Sequence, residues 1–146
     1  MHGLIIEERQ LNNKLLSRDL AELLFEYARY GRIVVTTDKP TVLHSTIRRH
    51  WQYLVRRLKI DRSRTLNHSV IDDINRRLYF ARRVRFSSKP LEDDLLDADI
   101  TFMKVSDCVR VAPVCQILCV TCEVSREKLY LMTAWIPKGG RVILYG

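Results

Sequence analysis

This chain of 146 residues has little glycine and proline, and it has no long apolar run. Its five glycines and four prolines are too few for a fibrous or low-complexity protein, while 47% hydrophobic residues suffice for a packed core. No apolar run approaches the roughly 20 residues that a membrane helix needs. We therefore expect a single globular domain over residues 1–146 that is not embedded in a membrane.

The N-terminal segment lacks the features of a secretory signal. Its short apolar patch is followed at once by Glu7 and Glu8, without a basic leader, so we expect a cytoplasmic protein. The four cysteines should then be reduced thiols. Cys119 and Cys122 form a Cys-x-x-Cys pair, but they lie in an apolar run typical of a buried strand. We therefore predict neither a metal site nor any other cofactor.

Acidic residues are scarce in one third of the chain. Residues 41–86 contain 12 of the 25 lysines and arginines but only three acids, which gives this basic helical segment a charge of +9. The rest of the chain sums to −1, since the total is +8. All but one of the 12 are arginine, which contacts phosphate in a bidentate manner. A charge this concentrated favours a surface that binds a polyanion.

The first half of the chain predicts strands and helices in alternation. Apolar residues that recur three and four positions apart predict helices, and runs of β-branched residues predict strands. The predicted strands cover residues 3–9 and 32–37, and the predicted helices cover residues 17–31, 41–60 and 68–83.

The last third predicts a C-terminal β-meander over residues 99–146, because four apolar runs are separated by short polar breaks. The whole chain therefore predicts an α+β fold. An N-terminal strand–helix–strand and two further helices would pack on one face of a mainly antiparallel sheet. An exposed edge of that sheet would also permit a homodimer. We interpret the acidic run at residues 92–99 as a solvated connection.

The basic side chains are predicted on the outer faces of the second and third helices. At 100° per residue, Trp51 and Leu54 fall on the apolar stripe and the arginines fall opposite. Tyr53 lies beside the basic row, where it could stack on an unpaired base. The candidate nucleic-acid-binding residues are Arg48, Arg49, Tyr53, Arg56, Lys59, Arg62, Arg64, Arg76 and Arg77. Part of this charge has expected i,i+4 partners, namely Asp72 with Arg76, Asp73 with Arg77, and Asp61 with Arg57.

The leading hypothesis is an accessory or regulatory protein, or a subunit of a larger complex, that binds RNA or DNA without chemistry of its own. One alternative is a metal-independent, toxin-like ribonuclease in which His50 or His68 acts as general base. The run from Arg62 to His68 resembles the Arg-x(4–6)-His signature of the HEPN ribonucleases over seven residues. That resemblance implies an all-helical bundle, which conflicts with the strand-rich last third.

Two further predictions concern other partners. The basic face would equally suit a protein–protein interaction module that docks an acidic partner. The loop Thr37, Asp38 and Lys39 lies between a buried strand and the basic helix, where α/β proteins often bind a ligand.

Overall fold

A computed structural model describes residues 3–10, 16–90 and 98–145. These residues form one six-stranded sheet with helices on both faces. The strands are β1 Ile5–Arg9, β2 Ile33–Thr36, β3 Phe86–Ser87, β4 Ile100–Met103, β5 Ile117–Val120 and β6 Arg141–Tyr145. The helices are α1 Leu16–Tyr27, followed by the 3-10 turn Ala28–Tyr30, then α2 Pro40–Arg64, α3 His68–Arg83, α4 Val105–Val111 and α5 Arg126–Met132.

Every strand pairing in the sheet is parallel, in the order β1-β6-β5-β2-β4-β3. At its centre, Ile33 of β2 is in register with Ile100 of β4 and with Ile117 of β5. All four residues of β2, β4 and β5 are buried. Strands covered on both faces have no solvent-facing side, so these strands are apolar except for the buried Thr36 and Thr101.

Successive residues of each strand contribute to two separate cores. Ile33 and Val35 of β2 pack with α1, α2 and α3 on one face of the sheet. Val34, between them, packs with Cys108 of α4 and Met132 of α5 on the other face. The fold is therefore a three-layer α/β arrangement, with three helices on one side and two short helices on the other.

The predicted α+β fold is wrong, because the sheet is entirely parallel and the C-terminal β-meander does not form. Two segments that were assigned to strands or breaks are the helices α4 and α5, and each helix carries the chain across the sheet. Leu129 and Met132 are buried at helical spacing, and the Ser125 side chain caps α5 by accepting a hydrogen bond from the Lys128 N–H at 3.2 Å. The helices consequently cover both faces of the sheet, not one.

Most of the predicted elements in the first half are confirmed. The bounds of α3 match the prediction, although Asn67 is its N-cap and accepts a hydrogen bond from the Ser69 N–H at 3.0 Å. Helix α2 is longer than predicted and continues to Arg64. The acidic run lies largely outside the described residues. Among the helices that the structure describes, none is long and apolar enough to cross a membrane.

Candidate nucleic-acid interface

The basic segment folds into a helical hairpin whose tip extends away from the core. Helix α2 is about 37 Å long, and Trp51 is its last buried residue. Beyond Trp51 the helix continues for about 20 Å, and its Leu54 and Val55 are only partly buried against the core. Leu66, in the turn after the helix, is 93% exposed. Residues 52–73, which we call the hairpin arm, contain no buried side chain.

The cations of the arm are exposed and lack close acidic partners. Within the described residues, Asp61, Asp72 and Asp73 form no ion pair with arginine at 4.0 Å or less, so the expected i,i+4 pairs are not formed. The Arg62 guanidinium donates a hydrogen bond to the Asn75 side-chain oxygen, at 3.3 Å. The charge of the arm is consequently available to a partner.

The structure separates the eight predicted binding cations into three places. The outward row of α2 consists of exposed cations, namely Arg48, Arg49, Arg56 and Lys59. The tip carries Arg62 and Arg64 beside Leu66, which is 93% exposed. Arg76 and Arg77 instead line a groove between α3 and the end of α1. The outward row and the tip therefore follow one another along α2, and the row reaches the hairpin arm at Arg56 and Lys59.

Tyr53 and His50 lie on the side of α2 that faces α1. They line a groove of about 300 Å³ together with Arg18, Glu22 and Arg57. Arg18 and Glu22 form an ion pair across one turn of α1, with an N–O distance of 3.5 Å. The groove thus brings a histidine, a carboxylate, a phenol and two guanidinium groups together.

The two candidate catalytic histidines lie far apart. His50 is half-buried in the groove beside α1, whereas His68 is exposed at the start of α3. The end of α2 is about 21 Å from His50 along the helix axis, and His68 follows the turn after that end. The two side chains therefore cannot serve one reaction centre as acid and base.

The ligand loop precedes α2, at the other end of that helix from the tip of the arm. The Thr37 N–H donates to the Met103 carbonyl at 2.9 Å, and the Thr37 hydroxyl accepts from the Lys39 N–H at 3.3 Å. Strand β2 sends its helix to one face, and the neighbouring β5 sends α5 to the other. Ligands of doubly wound sheets bind at such a divergence. A ligand at Thr37, Asp38 and Lys39 stays a prediction.

The cysteines are core residues with weakly acidic thiols. Cys108, Cys115 and Cys119 are buried. Burial raises the pKa of Cys108 and of Cys115 to about 12, so both thiols stay protonated near neutral pH. Burial, and then the charge of Asp38, raise the pKa of Cys122. In the described part of the chain, no three metal-ligating side chains cluster.

Two exposed pairs of an arginine and a tyrosine ring next to the arm were not predicted from the sequence. The Arg83 guanidinium lies over the Tyr79 ring at 5.5 Å, and that of Arg29 lies over the Tyr30 ring at 4.8 Å. The i,i+4 spacing of Tyr79 and Arg83 on a predicted helix was a usable signal for the first pair. The second pair comes from adjacent residues after α1, where periodicity carries no information.

Comparison with known proteins adds no identification: no protein-family model matches this chain, and no curated protein matches it either.

Proposed function

We propose that this protein binds RNA or DNA through the outward row of α2 and the tip of the hairpin arm, as an accessory or regulatory protein. The observation that carries the proposal is the position of the basic charge. The row continues from Arg48 and Arg49 onto the arm, whose residues 52–73 contain no buried side chain. A helix whose only task was to cover the sheet would end near Trp51, its last buried residue.

Charge and chemistry favour a polyphosphate as the partner. The outward row of α2 presents guanidinium groups, which bind phosphate oxygens in pairs. The described acids of the hairpin leave these cations unpaired. Each phosphate that they neutralise would release counterions, so affinity should fall with salt by a log–log slope of about 0.7 to 0.9 per contact.

The test is charge reversal on the outward row. Fluorescence anisotropy would measure binding of labelled RNA and DNA, single- and double-stranded, at several salt concentrations. Arg49→Glu combined with Arg56→Glu should abolish binding at moderate salt and lower the salt slope by about 1.4 or more. Thermal stability should change little, because both side chains are exposed.

A matched control is Arg126→Glu combined with Lys128→Glu. These two exposed cations lie in α5, on the other face of the sheet, and give the same change in net charge. Equal loss of binding in both variants would show that only total charge matters. A wild-type protein that binds no nucleic acid at low salt, but binds polyglutamate, would replace the proposal with docking of an acidic protein.

A second candidate is a metal-independent ribonuclease, and the groove around His50 favours it. His50 would take the proton from a ribose 2′-hydroxyl, which attacks the adjacent phosphorus, while Arg57 steadies the charge on the phosphate. The Glu22 carboxylate is ion-paired with Arg18, so Tyr53 is the candidate in this groove to donate a proton to the departing 5′-oxygen.

The matched pair His50→Ala and His68→Ala tests this candidate. RNA cleavage in the presence of EDTA should disappear in the first variant and persist in the second. Loss of cleavage only in His68→Ala would instead indicate that His68, in the run from Arg62 to His68, is the catalytic histidine. Absence of any cleavage by the wild-type protein excludes both ribonuclease readings.

A further inference from the structure

Four side chains form a continuous row of contacts beside the amino ends of the strands, next to the base of the hairpin arm. The Arg141 guanidinium lies 5.6 Å from the Tyr27 ring centroid, and the tilted Tyr27 and Tyr30 rings have centroids 5.8 Å apart. The Arg29 guanidinium completes this row, which we call the Arg–Tyr stack: it lies 4.8 Å from the Tyr30 centroid and donates a hydrogen bond to the Tyr30 hydroxyl at 2.8 Å. Rings and guanidinium planes are the groups on which nucleobases stack.

The Arg–Tyr stack lies between two cavities. The larger, of about 490 Å³, is lined by both tyrosines and by the loop 137–141, and its volume is in the range of small-ligand sites. The smaller, of about 210 Å³, is lined by Arg29 together with Arg76 and Arg77 of α3. Glu26 lines both cavities, so the two adjoin, and we refer to them together as the groove.

Cations outnumber acids along this groove. Its basic residues are Arg29, Arg76, Arg77, Lys138 and Arg141, and its acids are Glu26 and Asp73. The Arg77 guanidinium lies 5.7 Å from the Phe25 ring centroid, which adds a further pair of a ring and a cation. Alternating rings and positive charges suit a ligand in which flat bases alternate with phosphates.

We propose that this groove binds a single-stranded nucleic acid, with Tyr30 stacking on an unpaired base and Arg29, Arg76 and Arg77 contacting phosphates. The inference rests on the proposed function and deepens it by naming the substrate class. Tyr30 is 57% exposed, so its ring is accessible to a ligand. Bases within a duplex are stacked on one another and do not offer their faces to a side chain. A single strand is therefore the form that the Arg–Tyr stack accepts, while the adjacent arm contacts further phosphates.

The experiment compares Tyr30→Leu with Tyr30→Phe in binding assays on labelled oligouridylate, oligothymidylate and the oligouridylate–oligoadenylate duplex of equal length. The leucine variant should bind either single strand roughly 5- to 150-fold more weakly, which corresponds to about 1–3 kcal/mol per stacked base. The phenylalanine variant keeps the ring and should bind within about twofold of the wild type. Duplex affinity should change little in both variants.

Tyr130→Leu is the matched control, because Tyr130 is 62% exposed and lies in α5 on the other face. If Tyr30→Leu binds the single strands as well as this control does, the groove is not the site. A wild-type preference for the duplex would also overturn the inference. In either case, loss of duplex binding in Arg49→Glu with Arg56→Glu would leave the proposed function standing, whereas a wild-type protein that binds no probe overturns both.

Discussion

The two halves of α2 carry the same amphipathic pattern in different surroundings. In the first half, residues 40–51, Leu43, Ile47 and Trp51 are buried in the core above the sheet. In the second half, residues 52–64, the apolar stripe continues at Leu54, Val55 and Leu58, but these side chains are only half-buried. Periodicity thus indicates which way a helix faces, and not what covers it.

The difference has an energetic basis. The first half packs against α1 and the sheet, where Leu43, Ile47 and Trp51 are buried among rings and aliphatic side chains. The second half packs against α3, and the tip of the hairpin leaves Leu66 almost fully exposed. Apolar burial contributes about 25 cal/mol per Å², so the first half holds the fold together and the arm adds little.

The largest expected effect comes from Trp51→Ala in the embedded half. The Trp51 ring lies 4.9 Å from Phe25 and 5.0 Å from Phe86, centroid to centroid. Its removal should lower the free energy of unfolding by about 3–5 kcal/mol in urea denaturation. Leu58→Ala, in the arm, should cost only about 1 kcal/mol because its side chain is half-buried. If both substitutions lower the free energy of unfolding equally, the two halves of α2 contribute equally to stability.

Two helix caps should differ less in their effect on stability. One cap lies at the tip of the arm, and the other lies on the opposite face of the sheet. The Ser125 side chain caps α5 over the sheet, and the Asn67 side chain caps α3 at the tip. Ser125→Ala should lower global stability by about 1 kcal/mol. Asn67→Ala should lower it less and mainly speed amide exchange in the first turn of α3, because an exposed hairpin end opens without global unfolding. If Asn67→Ala lowers the free energy of global unfolding as much as Ser125→Ala does, the hairpin end does not open independently of the core.

A pH dependence is expected from the embedded half through His44. This side chain packs edge-on against Phe86 and Phe102, and burial, followed by the charge of Arg48, lowers the pKa of His44. As the pH falls below about 6.5, the unfolded chain takes up this proton before the folded chain does, so stability decreases. Urea denaturation across that range should show the decrease, and His44→Gln should reduce it. An unchanged slope in the variant would assign the pH dependence to another group.

Local sequence patterns predicted the elements of the first half well, because apolar spacing decides them there. The bounds of α3 were predicted from residues such as Ile74 and Leu78 at helical spacing, whereas the cap at Asn67 was not predicted. The last third was assigned wrongly because short parallel strands and short antiparallel strands have similar composition. Leu129 and Met132 with the Ser125 cap were the available signal for α5, but seven residues give periodicity little statistical weight.

The candidate site was predictable in part. The exposure of Arg49, Arg56 and Lys59 follows from helical geometry alone, and the structure bears it out. The groove around His50 and the Arg–Tyr stack were not predictable, because the first joins α1 with α2 and the second joins the end of α1 with the start of β6. Such contacts depend on the strand order, which no local pattern contains.

The smallest expected effect on stability is that of Arg56→Ala combined with Lys59→Ala in the outer row of the arm. Both side chains are exposed and have no ion-pair partner in the described residues, so the free energy of unfolding should stay within about 0.5 kcal/mol of the wild type. Binding of nucleic acid should nevertheless weaken, with a salt slope reduced by about one unit or more. Urea denaturation and anisotropy on the same preparation separate the two quantities. Loss of stability in this variant would mean that the arm belongs to the core, and unchanged binding would move the interface away from the outer row.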